Sequence, residues 1–240
     1  MLKLSKKIFI VFVFIFLITL DGHASDHSIN FKDFSFWRMM EGYWEAKNTY
    51  FDSDMNYIIR SYSSLIIIKL DNKNYFEKEY RFYPYSIAAD RYGKGLVKEG
   101  EGIEVIVSYS GKLIDDKGTM GNTHSDHAGV SSGDGIKYKL LSDKDSLRAN
   151  RKAETTFDSY RLYTTFTSPN HKFRSNFGLY YETKDKDPGS MRAFILSQDH
   201  RIGNNDFEER RNYLRRKYNI KVISSADPKN IGQSNVYRLE

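Results

Sequence analysis

The chain of 240 residues contains no cysteine and only four prolines. The absence of cysteine excludes disulfides, a lipid-anchored lipoprotein and a cysteine nucleophile, so a folded domain has to be stabilised by its packed core. A serine nucleophile elbow and a phosphate-binding glycine loop are missing as well. The sequence therefore provides no motif that requires catalysis, and it predicts no cofactor.

The N-terminal apolar run, residues 8–20, is shorter than the roughly 20 residues that a transmembrane helix needs. Three lysines precede it and small residues up to Ala24 follow it, which is the pattern of a cleavable secretory signal peptide. We therefore predict a signal peptide of residues 1–24 and a periplasmic or secreted domain of residues 25–240, without stable membrane insertion after cleavage. An uncleaved membrane anchor is the alternative.

The rest of the chain is dominated by short runs of β-branched and aromatic residues separated by turn residues. Strands are predicted over 43–50, 57–70, 75–83, 102–110, 112–114, 136–141, 146–153, 160–167, 172–182, 191–198 and 236–239. About eight to ten antiparallel strands joined by short turns can close on themselves, which removes exposed sheet edges. The pattern predicts an all-β, up-and-down antiparallel barrel, and a β-sandwich would show the same alternation.

Helical signals flank this strand-rich region. Asp33 is expected to cap a short N-terminal helix over 34–39, which ends at Gly42. The C-terminal helix is predicted over about 204–218, with Asn204 or Asn205 as its cap, acidic residues in its first turns and basic residues in its last turn. Its thin apolar stripe predicts that it packs against the outside of the strands. A solvated helix face explains its basic residues, so no nucleic-acid partner is predicted.

Gly42 and Trp44 form a Gly-x-Trp pattern at the start of the first strand. With the order of elements around it, this pattern resembles the calycins and in particular the lipocalins. The resemblance implies a barrel in which a late arginine, Arg192 or Arg201, packs across Trp44. It also implies non-catalytic binding of a small hydrophobic molecule, such as a fatty acid, lipid, isoprenoid or pigment. A second lipocalin motif and the family's frequent cysteines are missing from this chain.

Strand alternation selects the residues expected to line such a cavity. On the strand 172–182, Phe177 shares a face with Leu179 and Tyr181, and this face is predicted to lie on the core, while Arg174 and Asn176 face water. The complete set of predicted ligand-binding residues is Tyr80, Phe82, Phe166, Phe177, Leu179 and Tyr181. This selection depends on the register, because a slip of one residue exchanges the two faces.

Two other functional interpretations stay open at the sequence level. An isomerase, cyclase or hydrolase built on the same barrel would need a histidine or carboxylate inside the cavity. A barrel filled with aromatic side chains would instead serve as an interaction module of the cell envelope. The residues His124, Asp126 and His127 are of metal-binding types, but their Gly- and Ser-rich context predicts a solvated loop, so no metal site is expected.

Overall fold

The computed structural model describes residues 29–125, 136–145, 148–155, 160–181, 191–226 and 235–240. The predicted signal peptide, residues 1–24, lies outside the described residues, and export therefore stays a prediction. The strands are β1 (Gly42–Phe51), β2 (Ile58–Asp71), β3 (Asn74–Tyr83), β4 (Gly102–Leu113), β5 (Met120–Ser125), β6 (Ile136–Asp145), β7 (Arg148–Thr155), β8 (Tyr160–Thr167), β9 (Phe173–Tyr181), β10 (Met191–Ile202), β11 (Ile220–Ser224) and β12 (Val236–Arg238). The helices are a 3-10 turn (Phe31–Asp33), α1 (Ser35–Met40), α2 (Tyr85–Tyr92) and α3 (Phe207–Lys217).

All twelve strands belong to one sheet with the order β12-β11-β4-β3-β2-β1-β10-β9-β8-β7-β6-β5. Neighbouring strands are antiparallel except for β11, which runs parallel to β4. Strand β5 also pairs with β4, for example Lys112 opposite Gly121. The prediction of an all-β fold is confirmed.

Most differences from the predicted elements lie in the middle and at the end of the chain. The predicted strands 102–110 and 112–114 are one strand, β4, because Gly111 packs against Met120 of β5 and the ladder continues through it. The segment predicted as a loop around residue 121 forms β5. Helix α2 and strand β11 were not predicted. The pairing of β11 with β4 joins residues far apart in the sequence, which local alternation does not reveal.

The N-terminal segment closes one end of the sheet with aromatic side chains. Asn30 and Asp33 form a reciprocal capping box on the 3-10 turn, so Asp33 caps there and not at α1. Helix α1 then buries Phe36 and Trp37. Gly42 has a φ of 125°, a conformation that side chains disfavour, and it turns the chain from α1 into β1.

The two faces of the sheet carry different packing layers. The face that contains Trp44 and Asn48, here called the cavity face, packs on α1 at one end. The opposite face, here called the helix face, packs on α3 through Leu65, Phe82 and Leu214. Helix α3 thus lies against the sheet as predicted, but it begins at Phe207, after Asp206, and no side chain caps it. The predicted caps Asn204 and Asn205 lie in the preceding turn.

Candidate functional site

A cavity of about 220 Å³ lies on the cavity face. Strands β1 to β5 and β8 to β10 contribute its walls together with α1 and α2. Its charged and phenolic lining consists of Arg60, Arg81, Arg91, Arg174, Glu77, Glu79, Asp199, Tyr50, Tyr62, Tyr75, Tyr83, Tyr109, Tyr163 and Tyr180. Trp37, Met40, Ile66, Ile68 and Met120 supply apolar surface at the end near α1. The cavity is therefore mainly polar, with aromatic rings as its largest apolar surfaces.

Arg81 and Glu79 form a buried ion pair on β3. Arg81 donates to Glu79 Oε2 from Nε at 2.8 Å and from Nη2 at 2.6 Å. The two residues share a face because they are two positions apart on the strand. Burial opposes the charge of Arg81, but Glu79 and the hydroxyl of Tyr109 outweigh it, so the pKa of Arg81 lies well above its ordinary value. Both charged groups are thus compensated within the protein.

Asp199 of β10 is the centre of a second buried polar cluster. Its carboxylate accepts hydrogen bonds from Arg174 and from Ser197, and from Asn176 Nδ2 at 3.0 Å. The Arg174 guanidinium also lies 4.0 Å from the ring centroid of Trp44. This arrangement satisfies a buried carboxylate with three donors, as a charge in the protein interior requires.

Arg60 of β2 differs from these two arginines. Its side chain is half-buried, and its guanidinium carbon lies 3.9 Å from the ring centroid of Tyr50. Its Nε is buried and has no hydrogen-bond partner, and no carboxylate pairs with Arg60 among the described residues. Arg91 of α2 also lines the cavity and is near enough to oppose the charge of Arg60. Because both side chains are only partly buried, they mark the mouth of the cavity.

Tyrosine rings surround the two mouth arginines. Tyr62 and Tyr83 are buried and their ring centroids lie 4.6 Å apart. Burial raises the pKa of both phenols, and it raises that of Tyr62 well above the ordinary value with a further contribution from Tyr50 and Tyr83. Both groups therefore stay neutral near pH 7 and present hydroxyls beside the guanidinium groups.

The six residues predicted to bind a ligand do not line this cavity. Tyr80 and Phe82 are buried on the helix face, where they pack with Phe207 and Leu214 of α3. Phe166 and Phe177 are 44% and 39% exposed, and alternation along β9 places Leu179 and Tyr181 on the same face as Phe177.

The two faces of β9 are thus the reverse of the prediction. Arg174 and Asn176, which were expected to face water, are buried and line the cavity. The apolar residues of β9 lie on the other side of the strand, where Phe177 contacts Phe166 and Phe194. Strand alternation correctly divided the residues of β9 between two faces. It does not identify the enclosed face when that face carries the charged residues.

The Gly-x-Trp pattern has the surroundings that the resemblance implied. Of the two arginines expected to lie across Trp44, Arg201 does so, with its guanidinium carbon 4.5 Å from the ring centroid. Its Nη atoms donate to the carbonyl oxygens of Glu41 and Met39, both at 2.9 Å. A side chain at Gly42 would collide with this guanidinium at 2.6 Å. Arg192 lies near the start of β10 and is exposed.

The structure gives no side-chain positions for the three residues of metal-binding types, His124, Asp126 and His127. Asp126 and His127 lie outside the described residues, and only the backbone of His124 is described, as part of β5. In the part of the chain that the structure describes, no three His, Asp or Glu side chains come together as metal ligands. Within the same part, none of the helices has the length and apolarity needed to span a membrane.

Comparison with known proteins finds distant structural similarity. No protein-family model matches the chain, and no curated protein matches it. It is similar to a protein of unknown function from the DUF3598 family of Nostoc punctiforme PCC 73102, with 12% identity and a TM-score of 0.40 over 69% of this chain and 48% of that one, so it spans about half of that protein's length. It is also similar to Rv2717c from M. tuberculosis, with 10% identity and a TM-score of 0.30 over 69% of this chain and 94% of that one. The lipocalin resemblance stays a prediction.

None of the residues that line the cavity was predicted from the sequence as a ligand-binding residue. A signal existed on β3, where Tyr75, Glu77, Glu79, Arg81 and Tyr83 alternate with Phe76, Tyr80 and Phe82. A charged face on a strand between two buried neighbours is evidence of an enclosed polar site, because water is excluded from both sides of such a strand. Arg60 and Arg91 gave no such signal, since their neighbourhood depends on the packing of α2 against the sheet.

Proposed function

We propose that the protein is a non-catalytic binding protein, which holds one compact polar molecule in the cavity inside a calycin-like barrel of β1 to β10. The observation that carries the proposal is the lining itself, four arginines, three carboxylates and seven tyrosines around about 220 Å³. A ligand with polar substituents matches such a lining, because it can exchange hydrogen bonds with groups that stay polar even where they are paired with one another.

The size and lining of the cavity favour a compact polar ligand over a lipid. A dry apolar cavity of about 150 Å³ accommodates benzene, and drug-sized ligands occupy about 300 Å³ or more. A volume near 220 Å³ suits a molecule of one ring with polar substituents. A long acyl chain would lie against guanidinium and carboxylate groups and would displace water from them without offering any hydrogen bond in return. The hydrophobic ligand implied by the lipocalin resemblance is thus the weaker candidate.

The barrel part of the proposal is supported by strand pairing and by the Trp44 environment. In the sheet, β4 and β5 are the first and last of the ten strands β1 to β10 in spatial order. Strand β5 pairs with β4 as well as with β6, and this pairing brings the two ends of the ten-stranded sheet together. The stacking of Arg201 on Trp44 beside Gly42 supports the calycin relationship independently. Together with the predicted signal peptide, the proposal places ligand binding in the periplasm or outside the cell.

The occupied carboxylates favour binding over catalysis. Glu79 is held by Arg81, and Asp199 is held by Arg174, Asn176 and Ser197. A general base has to accept a proton, which is unfavourable for a carboxylate already engaged by a guanidinium. The enzyme alternative would depend on the third lining carboxylate, Glu77, which accepts a hydrogen bond from the hydroxyl of Tyr75.

Native mass spectrometry of the protein, expressed with its own N-terminal segment, tests the proposal. We expect a bound small molecule that is released by denaturation and identified after extraction. Asn48→Trp, which puts a large ring into the cavity from β1, should abolish the adduct. Lys47→Trp is the matched control, because the adjacent side chain is exposed on the helix face. Equal adducts in both variants would contradict the cavity as the binding site.

A further inference from the structure

Gly178 leaves a gap in the wall of the cavity. It lines the cavity on β9 between Asn176 and Tyr180, and of the cavity-lining residues of this strand it alone has no side chain. A glycine within a strand weakens the strand, and it marks a place where another group approaches the backbone closely. A Cβ atom on Gly178 would lie 2.7 Å from Cε1 and 2.8 Å from Cδ1 of Tyr163. The edge of the Tyr163 ring is therefore the group that uses the gap.

The side chain of Tyr163 leans across the sheet to reach this gap. Tyr163 and Gly178 are paired directly on β8 and β9, and a side chain that stood upright would stay above its own strand. The leaning ring lines the cavity and is only half-buried. Its hydroxyl donates to that of Tyr180 at 3.2 Å, and the two ring planes meet at 81°, so Tyr180 does not stack on it. Ile195, opposite Gly178 on β10, adds a buried apolar side chain.

Hydrogen-bond acceptors lie next to this aromatic surface. Asn48 and Ser197 pair across β1 and β10, and Ser197 lies two residues, about 7 Å, along the strand from Ile195. The amide nitrogen of Asn48 donates to Ser64 Oγ at 3.0 Å, and the hydroxyl of Ser197 donates to Asp199. These directions leave Oδ1 of Asn48 and Oγ of Ser197 as acceptors. The pair therefore suits a donor, such as a hydroxyl or an amine, on the ligand.

On the basis of the proposed binding function, we propose that the ligand contains an aromatic ring, which packs on Tyr163 and directs a hydrogen-bond donor at Asn48 and Ser197. The aromatic surface and the acceptors are about one ring apart, so a substituent of a ring held on Tyr163 reaches them. Contact between two aromatic rings contributes more than the burial of their area, an advantage that a saturated ring lacks. The ligand class is thus a compact phenol or aromatic amine.

Calorimetric titration with three matched probes tests this proposal. Phenol has the ring and the donor, cyclohexanol has the donor on a saturated ring, and anisole has the ring without the donor. We expect phenol to bind about 2- to 10-fold more tightly than either of the others. Tyr163→Leu should abolish the preference over cyclohexanol, and Tyr163→Phe should keep it, because the ring makes the contact. Tyr213→Leu, at an exposed position on α3, is the matched control.

Gly178→Ala tests the gap independently. The new Cβ atom would displace the edge of the Tyr163 ring, so this variant should also lose the preference for phenol over cyclohexanol. Gly95→Ala is the matched control, because a Cβ atom there would have no neighbour within 4 Å. Thermal unfolding of each variant establishes that it is folded.

The outcomes separate the ring site from the cavity proposal. Equal binding of phenol and cyclohexanol by the wild type, abolished by Asn48→Trp, overturns the ring site and keeps the cavity. The ring site is overturned as well if Tyr163→Leu lowers the melting temperature but leaves the ratio of the two affinities unchanged, since Tyr163 would then only cover Gly178. Equal affinities for phenol and anisole overturn the donor. Binding that Asn48→Trp leaves unchanged, or absence of binding by all three probes at millimolar concentration, overturns both proposals.

Discussion

Partly buried arginines serve two regions of this protein in different ways. Between α3 and the helix face, Arg211 and Arg215 both bind Glu104, whose side chain is fully buried, at 2.8 and 2.6 Å. At the cavity mouth, Arg60 stacks on Tyr50 and its buried Nε has no partner in the described part of the chain. The first region contains its own counter-charge and needs nothing more. In the second, Arg60 lines the cavity and has no carboxylate partner among the described residues. The first region is therefore architectural, and the second belongs to the proposed binding cavity.

The largest loss of stability is expected when the ion pairs between Glu104 and α3 are broken. Glu104→Gln leaves Arg211 and Arg215 beside a neutral amide at a fully buried position, and should destabilise the protein by about 3 kcal/mol. Urea unfolding of the purified variant measures this loss. Glu208→Gln is the control, since Glu208 is 68% exposed and its contact with Arg211 is 3.7 Å long. A loss below about 1 kcal/mol for Glu104→Gln would mean that α3 is held mainly by its apolar contacts.

The buried phenol of Tyr62 should make the free energy of unfolding depend on pH in the alkaline range. The pKa of Tyr62 is raised above its ordinary value of 10.0, chiefly by burial and then by Tyr50 and Tyr83, against the opposing charge of Arg81. The unfolded chain therefore loses the phenolic proton first as pH rises. The stability from the neutral phenol is fully present below pH 10.0 and is lost between pH 10.0 and the folded-state pKa.

Removal of that phenol should flatten the alkaline decline. In Tyr62→Phe the free energy of unfolding should fall less steeply above pH 10, by up to about 1.4 kcal/mol for each pH unit. Chemical unfolding of both proteins at several pH values gives the two slopes. Tyr57→Phe, at a position that is 68% exposed, should keep the wild-type slope. Identical slopes in wild type and Tyr62→Phe would show that another group controls the decline.

Loss of a partly exposed ion pair between the sheet and α3 should destabilise the protein less than loss of the buried Glu104 pairs. Glu45 binds Arg210 at 2.6 and 2.8 Å, but the Arg210 side chain is 37% exposed. Water screens this pair, so Glu45→Gln should cost about 1 kcal/mol, clearly less than Glu104→Gln. Raising the salt concentration should shrink the Glu45→Gln effect and leave the Glu104→Gln effect nearly unchanged, because buried pairs are screened less. Equal salt dependence in urea unfolding would contradict this ranking by burial.

The sequence predicted strands better than it predicted which face of the sheet holds the site. The predicted strand 160–167 agrees with β8, and Pro84 follows directly on the end of β3, because alternation and the missing proline N–H are local properties. The enclosed face was assigned wrongly on β9, since the apolar residues there lie outside and the charged residues line the cavity.

Most of the contacts between charged residues at the cavity could not be predicted from the local sequence pattern, for a physical reason. Glu79 and Arg81 were within reach of sequence reasoning, because residues two apart on a strand face the same way. Asp199 and Arg174 meet only because β9 and β10 pair in a particular register. Arg60 and Arg91 line the same cavity only because α2 packs over the sheet. Contacts of the last two kinds depend on the whole fold, so no window of the sequence contains them.

The smallest effect on stability should come from the residue with the largest effect on binding. Arg60→Gln removes a buried donor without an acceptor and a charge that burial and Arg91 oppose, and it sacrifices the stacking on Tyr50 and the attraction of the Tyr62 and Tyr83 hydroxyls. These contributions nearly cancel, so the unfolding free energy of the ligand-free variant should stay within about 0.5 kcal/mol of wild type. The bound molecule that native mass spectrometry is expected to detect should be lost in Arg60→Gln and kept in Arg216→Gln, because Arg60 lines the cavity and Arg216 is exposed on α3. A loss above about 2 kcal/mol without ligand would make Arg60 an architectural residue like Arg211, and would remove the distinction between the two regions.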